Sequence, residues 1–173
     1  LAPGEPGSKQ GTSLMVLADM IDAKKANEEV IKVEGARGFS TFYGYYMLQA
    51  MAKAGDYAGA MKFISEFWGA MIDLGATTFW EDFHTDWLKD DVAPITDLVP
   101  AGKQDIHGDF GAYGYKGVRH CLCHGWASGP TAWLSQHVLG VEIVEPGYKV
   151  VRINPNLGDL EWVEGAVPTP FGD

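Results

Sequence analysis

The chain has 173 residues, enough for one domain with a substantial core, and 46% of them are apolar, as in globular proteins. Its 13 basic and 23 acidic residues leave a net charge of -10. This charge argues against nucleic acid and anionic membranes as partners, and it leaves neutral or cationic ligands open. The 12% aromatic share, which includes six Trp, is common in carbohydrate-handling proteins, because sugar faces pack on rings.

Both ends of the chain are expected to be cuts in a longer protein. The first residues, LAPG, are not a natural initiation site, and the last residues, PTPFGD, contain no terminal element. Cys121 and Cys123 are too close in sequence for a mutual disulfide to have ordinary geometry, so they do not identify the compartment. The compartment stays open, with a periplasmic or secreted location favoured.

The N-terminal part predicts a loop followed by a helix. Residues 1–11 are rich in Gly, Pro and Ser, and Thr12 or Ser13 can cap a helix that follows. Apolar residues then recur at helical spacing, and Lys24 and Lys25 suit the end of that helix because cations favour the negative pole of its dipole. The polar segment 27–38 has no clear pattern.

The next segment predicts a helical hairpin. A helix begins at Ser40 or Thr41, Gly55 and Asp56 form a tight corner, and a third helix follows. Helices joined by so short a turn pack antiparallel. The third helix buries a stripe that consists of Tyr57, Ala60, Met61, Ile64, Phe67, Trp68 and Met71.

The stretch GATTFWEDFH at 75–84 contains the first candidate for a site. Gly75 is placed where the third helix would stop, and Trp80 is followed directly by Glu81. An indole offers a stacking surface to a sugar and a fixed Glu can move a proton, although a Trp beside an acid is common at any helix–loop junction.

The segment 85–120 is rich in Gly, Asp and Pro and predicts a long loop of the kind that is usually functional. After HCLCHGWASGP at 120–130, a helix is expected that ends at Gly140. Either Pro130 lies in its first turn, with Ser128 as the cap, or Pro130 kinks a helix that began earlier. Residues 148–153 alternate as in a strand, and residues 160–167 have similar content around Trp162. The change from helices to strands predicts a domain boundary near Gly140.

Two kinds of chemistry are disfavoured by spacing. His120, Cys121, Cys123 and His124 are too close together to surround one tetrahedral ion easily, so no metal and no cofactor is expected, and the cysteines are interpreted as buried small residues. Ser128 lacks the glycines two places away on each side that a nucleophile elbow requires.

Glycoside hydrolysis needs a carboxylate that deprotonates water and a carboxylic acid that protonates the leaving oxygen. Glu81 is the best candidate for one of these groups, with Asp82, Asp86 and Asp109 as alternatives. His124 and Trp126 could contact sugar hydroxyls and a ring face. His124 could equally be a helix-start histidine that is hydrogen-bonded to the backbone.

Several separate blocks in order resemble the bacterial α-L-rhamnosidase family. The resemblance covers most of residues 38–173, and its blocks are GATTFWE at 75–81, CLCHGWASGP at 121–130, VLGV at 138–141, EPGY at 145–148, INPNLGDLEW at 153–162 and PTP at 168–170.

This resemblance implies a mainly α fold: part of a six-hairpin α/α toroid, the glycosidase-type barrel, followed by the first strands of a β-sandwich. Residues 1–140 would be a partial catalytic barrel and residues 141–173 the start of the C-terminal β-domain. The implied activity is inverting hydrolysis of terminal α-L-rhamnose from glycosides. Glu81 matches the family's general base, and Trp80 matches a ring beside the sugar. His124 matches a histidine that contacts substrate hydroxyls. Trp126 has a less regular counterpart, because the aromatic position after that histidine varies within the family.

The family's general acid belongs to an Asp/Arg-rich block upstream, and no such block precedes Glu81 here. This chain alone is therefore expected to be inactive, with an open side that needs the rest of its own barrel or a self-association partner. One alternative is a non-catalytic sugar-binding or interaction module. Another is a related α/α-barrel hydrolase that acts on uronic acids, for which Arg37, Lys116 and Arg119 are the candidate cations.

Overall fold

The computed structural model describes residues 7–89, 91–93, 100–105 and 120–172. Within these ranges the chain is mainly helical, which confirms the predicted class. The helices are α1 (Lys9–Leu17), α2 (Ala23–Ala26, continued by the π-helical turn Asn27–Ile31), α3 (Gly44–Lys53), α4 (Tyr57–Ile64, continued by the π-helical turn Ser65–Gly69), α5 (Ala70–Asp73) and α6 (Gly129–Trp133, continued by the π-helical turn Leu134–Val138).

The predicted helical hairpin is confirmed. It consists of α3 on one side and the continuous run of α4 and α5 on the other, and Asp56 caps α4 by accepting from the amide of Gly59 over 3.0 Å. The start of α3 lies against the far end of the other arm, since a β-carbon on Gly44 would be only 2.6 Å from the Trp68 ring. The two arms are therefore antiparallel, and glycine at position 44 permits their close approach.

The first helix differs from its prediction at both ends. It begins at Lys9, because the Ser8 side chain accepts from the Gly11 amide over 3.1 Å, and it ends at Leu17. Asp22 then caps a separate helix by accepting from the Lys25 amide over 2.7 Å. Lys24 and Lys25 therefore begin α2 and do not end α1, because two side-chain acceptors each satisfy amides that a helix start leaves unpaired.

The C-terminal part is a small hairpin of strands. Strand β3 (Val141–Glu145) pairs antiparallel with β4 (Val150–Ile153), with an irregularity between Ile143 and Glu145. Two shorter strands, β1 (Val92–Ala93) and β2 (Gln104–Asp105), pair in parallel within the long segment where a structureless loop was predicted. Residues 160–167 are not a strand, contrary to the prediction, and Trp162 is 71% exposed. The toroid, the β-sandwich and the domain boundary stay predictions.

The core joins the hairpin to α6 through two buried indoles. Trp68 donates from Nε1 to the carbonyl of Ala127 over 2.9 Å, and Trp133 donates to the carbonyl of Leu48 over 3.0 Å. Both rings are nearly fully buried. A buried indole N–H needs an acceptor, so these two bonds fix the position of the segment around residue 127 against the hairpin. None of the helices in the described ranges is long and apolar enough to cross a bilayer.

Candidate active site

The structure brings together two stretches that the sequence had singled out separately. Gly75 ends the long helical arm with φ +93°, and the chain then runs beside residues 121–124. The amide of Glu81 donates to the carbonyl of Cys121 over 2.9 Å, and the amide of His124 donates to the carbonyl of Phe79 over 2.8 Å. The Thr78 hydroxyl adds a bond to the Leu122 carbonyl. Glu81 and His124 therefore belong to one rigid neighbourhood.

Glu81 is partly buried, and each of its polar groups has a partner. Oε2 of its carboxylate accepts from the backbone amide of Cys121 over 3.0 Å. Its carbonyl oxygen accepts both from the Thr41 hydroxyl and from Nε1 of Trp126, the latter over 3.0 Å. These bonds hold both the backbone and the side chain, which is the positioning that proton transfer requires.

Glu81 opens into a cleft of about 340 Å³ that lies between the start of the hairpin and the 120–126 segment. Its lining consists of Ser40, Thr41, Phe42, Glu81, Asp82, His120 and Trp126. Ser40 and Thr41 were predicted only as a helix start, and no role was predicted for Phe42. The run of aromatic residues around them, with Phe42 and Tyr43 adjacent, was the signal that could have indicated their role.

Trp80 does not lie in this cleft. Its ring is 1% exposed and packs edge-on against Phe83, with 6.2 Å between the ring centroids. Phe83 in turn contacts Phe67 and Trp87, so the stretch 80–83 is part of the aromatic core. The expectation that Trp80 offers a ring face to a sugar therefore needs correction: in this structure the indole anchors the backbone beside Glu81.

Trp126 is the exposed indole of the site. It is 49% exposed, its centroid is 4.1 Å from that of His124, and it is 5.7 Å from Phe42 on the cleft lining. His124 precedes the 3₁₀ turn Gly125–Ser128 and makes no side-chain capping bond to that turn. The alternative of a helix-start histidine that is hydrogen-bonded to the backbone of that helix is therefore not found. The imidazole lies beside the Trp126 indole, but His124 is not among the residues that line the cleft.

Asp82 places a second carboxylate in the lining of the cleft. The residue is 9% exposed, and its Oδ2 atom is buried without a hydrogen-bond partner among the described residues. Nε2 of His84 lies 3.7 Å from Oδ2 of Asp82, which is beyond hydrogen-bond distance. A buried carboxylate oxygen without a donor is costly to the fold.

The other candidate groups are engaged elsewhere or lie outside the described ranges. Asp86 pairs with Arg37, with 3.2 Å between Oδ1 and Nε, and both side chains are largely exposed. Ser128 donates from Oγ to the carbonyl of Gly125 over 2.7 Å, within its own turn, and its side chain does not cap α6 as predicted. Asp109, Lys116 and Arg119 lie outside the described residues.

The cysteines correct another expectation. Cys121 and Cys123 are free thiols and both are exposed, although burial had been predicted. Their exposure follows from the pairing of 79–81 with 121–124, which uses the backbone of the segment and leaves these side chains outside. In the described part of the chain, no group of three or more His, Cys, Asp or Glu could hold a metal ion.

Comparison with known proteins indicates a distant relationship to a glycosidase. The chain is 30% identical over 107 residues to an α-L-rhamnosidase from Alteromonas sp. (strain LOR). The match covers 61% of this chain and 9% of the length of that protein. No protein-family model matches the chain.

Proposed function

We propose that this chain is part of an inverting glycoside hydrolase that removes terminal α-L-rhamnose from glycosides, with Glu81 as the general base. The observation that carries the proposal is the position of Glu81, whose carboxylate is held by the Cys121 amide in a cleft that an exposed indole, Trp126, also lines. The distant similarity to an α-L-rhamnosidase supports the choice of sugar.

In this mechanism Glu81 takes a proton from a water molecule as that water attacks the anomeric carbon. The water attacks from the face opposite the leaving group, so the configuration at that carbon inverts. The general base acts as a carboxylate, and the amide of Cys121 orients it by donating to Oε2. General base catalysis is typically worth about 10²–10⁴ in rate.

The leaving oxygen must receive a proton from a separate carboxylic acid, about 6.5–9.5 Å from the base. We propose that this acid belongs to another part of a longer protein, which agrees with a match to only 9% of the relative's length. Exposed apolar side chains on the described surface, such as Ile72 at 68% and Ile153 at 71%, are consistent with packing against the rest of the barrel and the β-domain or against a self-association partner.

Sugar binding would use the groups that line or border the cleft. The ring face of Trp126 can stack on a sugar, and His124 beside it can hydrogen-bond to a hydroxyl. This assignment predicts that the site recognises a neutral sugar through hydrogen bonds to its hydroxyl groups and through stacking on the Trp126 ring.

The alternative of a uronic acid substrate has less support. The cleft lining includes no Lys or Arg among the described residues, and two carboxylates, Glu81 and Asp82, already face it. Arg37, the one described candidate cation, is engaged by Asp86 and lies 3.8 Å from Glu34. A carboxylate on the substrate would therefore meet like charge, which disfavours binding.

The test is Glu81→Gln in the parent protein, assayed on an aryl α-L-rhamnoside. We expect turnover to be abolished while circular dichroism and the melting temperature stay unchanged, because Gln can still accept from the Cys121 amide through its carbonyl oxygen. Glu161→Gln, at an exposed position outside the cleft, is the matched control and should retain full turnover. Retained activity in Glu81→Gln would reject the role of Glu81.

A non-catalytic sugar-binding module is the second candidate function. Measuring both sugar binding and turnover distinguishes it from the hydrolase. Both candidates predict rhamnose binding that Trp126→Ala weakens in calorimetry. Only the hydrolase predicts that the parent protein releases rhamnose with inverted configuration, which proton NMR of the first product can observe. Binding without release by the parent protein would favour the module.

A further inference from the structure

The chain bends at residues 122 and 123, immediately after the residue whose amide holds the Glu81 carboxylate. Two main-chain bonds fix the ends of this bend: the carbonyl of Cys121 accepts from the Glu81 amide, and the amide of His124 donates to the Phe79 carbonyl. The bond from the Cys121 amide to Oε2 of Glu81 is a separate contact. Its direction depends on how the peptide groups of the bend are turned.

Thr78 holds the middle of the bend. Its hydroxyl donates to the carbonyl of Leu122, which lies 44 positions further along the chain. A second contact lies within the bend itself, where Sγ of Cys121 is 3.4 Å from the carbonyl oxygen of Cys123. A thiol is a weak donor and a hydroxyl is a good one, so the Thr78 bond is the stronger of the two restraints. Its loss should free the Leu122 peptide group to turn.

We infer that Thr78 is a positioning residue for Glu81: by holding the Leu122 carbonyl, its hydroxyl keeps the Cys121 amide directed at the Glu81 carboxylate. The inference rests on the proposed function of Glu81 as general base. Thr78 is not among the residues that line the cleft, so it acts through the bend and not through contact with the sugar. A displacement of about 1 Å at a reacting group can cost a factor of about 10² in rate, so a bond outside the cleft can affect turnover.

Amide hydrogen exchange in the full chain, followed by NMR, tests the orientation of the Cys121 amide without any need for activity. Thr78→Val keeps the size of the side chain but removes the donor. We expect the Cys121 amide to exchange about fivefold or more faster in this variant, the change that loss of one ordinary hydrogen bond produces. Thr78→Ser keeps the hydroxyl and should keep the slow exchange. The amide of Asn154, which donates to the Gly140 carbonyl over 2.8 Å, should exchange equally in all variants and so reports that the rest of the fold is unchanged.

Turnover of an aryl α-L-rhamnoside by the parent protein tests the consequence for Glu81. Thr78→Val should lower kcat about tenfold or more and leave KM within about twofold, because the base is displaced and the sugar contacts are kept. Thr78→Ser should restore most of kcat. Thr77→Val, at the adjacent exposed threonine, is the matched control and should change neither constant. Thr78→Ala, which removes the hydroxyl without a branched replacement, repeats the test should valine disturb the packing.

The outcomes separate this inference from the proposed function. Equal exchange of the Cys121 amide in Thr78→Val and in the unchanged chain would overturn the inference. A rise in KM with kcat unchanged would also overturn it, because Thr78 would then be a contact of the substrate. Loss of kcat in Thr78→Ser as well would assign the effect to the methyl group, with the same consequence. If the parent protein releases no rhamnose, the proposed function fails, and the exchange rates still decide whether Thr78 orients the Cys121 amide.

Discussion

The indole of Trp126 donates from Nε1 to the carbonyl oxygen of Glu81 over 3.0 Å. The ring that is exposed to a ligand is thus attached directly to the backbone of the residue proposed to perform the chemistry. The Thr41 hydroxyl donates to the same oxygen from the start of the helical hairpin. Three distant parts of the chain therefore meet at one carbonyl group, and disturbing any of them should move the Glu81 carboxylate.

Trp126→Phe tests this connection, because it keeps an aromatic face but removes the donor. We expect kcat of the parent protein on an aryl rhamnoside to fall with little change in KM, since a small displacement of the base affects the transition state more than ground-state binding. Thr41→Val should act in the same direction and destabilise the fold by about 1 kcal/mol. Because the two donors share one acceptor, the double variant should deviate from additivity. Unchanged kcat in both single variants would contradict the connection.

Substitutions of Trp80 and Trp126 should have different effects, the first on stability and the second on sugar binding. Trp80→Ala removes a fully buried indole, and we expect it to lower the free energy of unfolding by about 3–5 kcal/mol. Trp126→Ala should cost much less stability, because half of the ring is already exposed, but should weaken rhamnoside binding. Urea denaturation and calorimetry measure the two effects. The assignment would be reversed if Trp80→Ala stayed stable and lost binding.

Gly140→Ala should destabilise the junction between α6 and the strand hairpin. Gly140 has φ +77°, and a β-carbon there would be 2.3 Å from the backbone of Asn154, which cannot move away as a side chain could. Gly147→Ala is the matched control: its φ is +76°, with nothing near an added β-carbon. The control should lower the free energy of unfolding by about 1–2 kcal/mol, because alanine is unfavourable in the left-handed conformation. Gly140→Ala should lower the free energy of unfolding by more than the control does, as measured by urea denaturation. Equal losses would show that the backbone of Asn154 moves away from the added β-carbon without cost.

The stability of the chain should depend on pH through His137. Burial lowers the pKa of His137 below its usual value, and nearby Glu142 opposes that shift. In the unfolded chain the imidazole takes up a proton more readily than in the folded chain. Its contribution to stability is therefore complete above the unfolded pKa of about 6.5 and is lost as the pH falls through the lower folded pKa.

Urea denaturation between about pH 5 and 8 measures this dependence. We expect His137→Gln to show a smaller loss of unfolding free energy at the acid end than the unchanged chain. Ser135→Ala, at an exposed position whose hydroxyl bonds only to the Thr131 carbonyl, should leave the pH dependence as it was. An identical slope in His137→Gln and the unchanged chain would assign the acid sensitivity to another group.

The helical hairpin and the helix ends at Gly75 and Gly140 could be predicted from the sequence, because they depend on local chemistry. The start of the hairpin was misplaced: its first helix begins at Gly44 and not at Ser40 or Thr41. Asp56 caps the helix that follows it, and Gly75 and Gly140 adopt positive φ where helices end. Such effects act over a few residues and are visible in the printed order of amino acids. The misplaced end of the first helix has the same origin, since Asp22 is a capping residue whose role was not recognised.

The sequence by itself thus determined the helical hairpin, the helix ends at Gly75 and Gly140, and Glu81 as the candidate carboxylate. Only the tertiary structure decided which indole faces the cleft, because the exposure of Trp80 and Trp126 depends on what packs over each. It also brought Thr41 and Cys121, each 40 positions from Glu81, to that residue. Hydrogen bonds over such separations arise when the hairpin and the 120–126 segment pack together, and no local pattern encodes them.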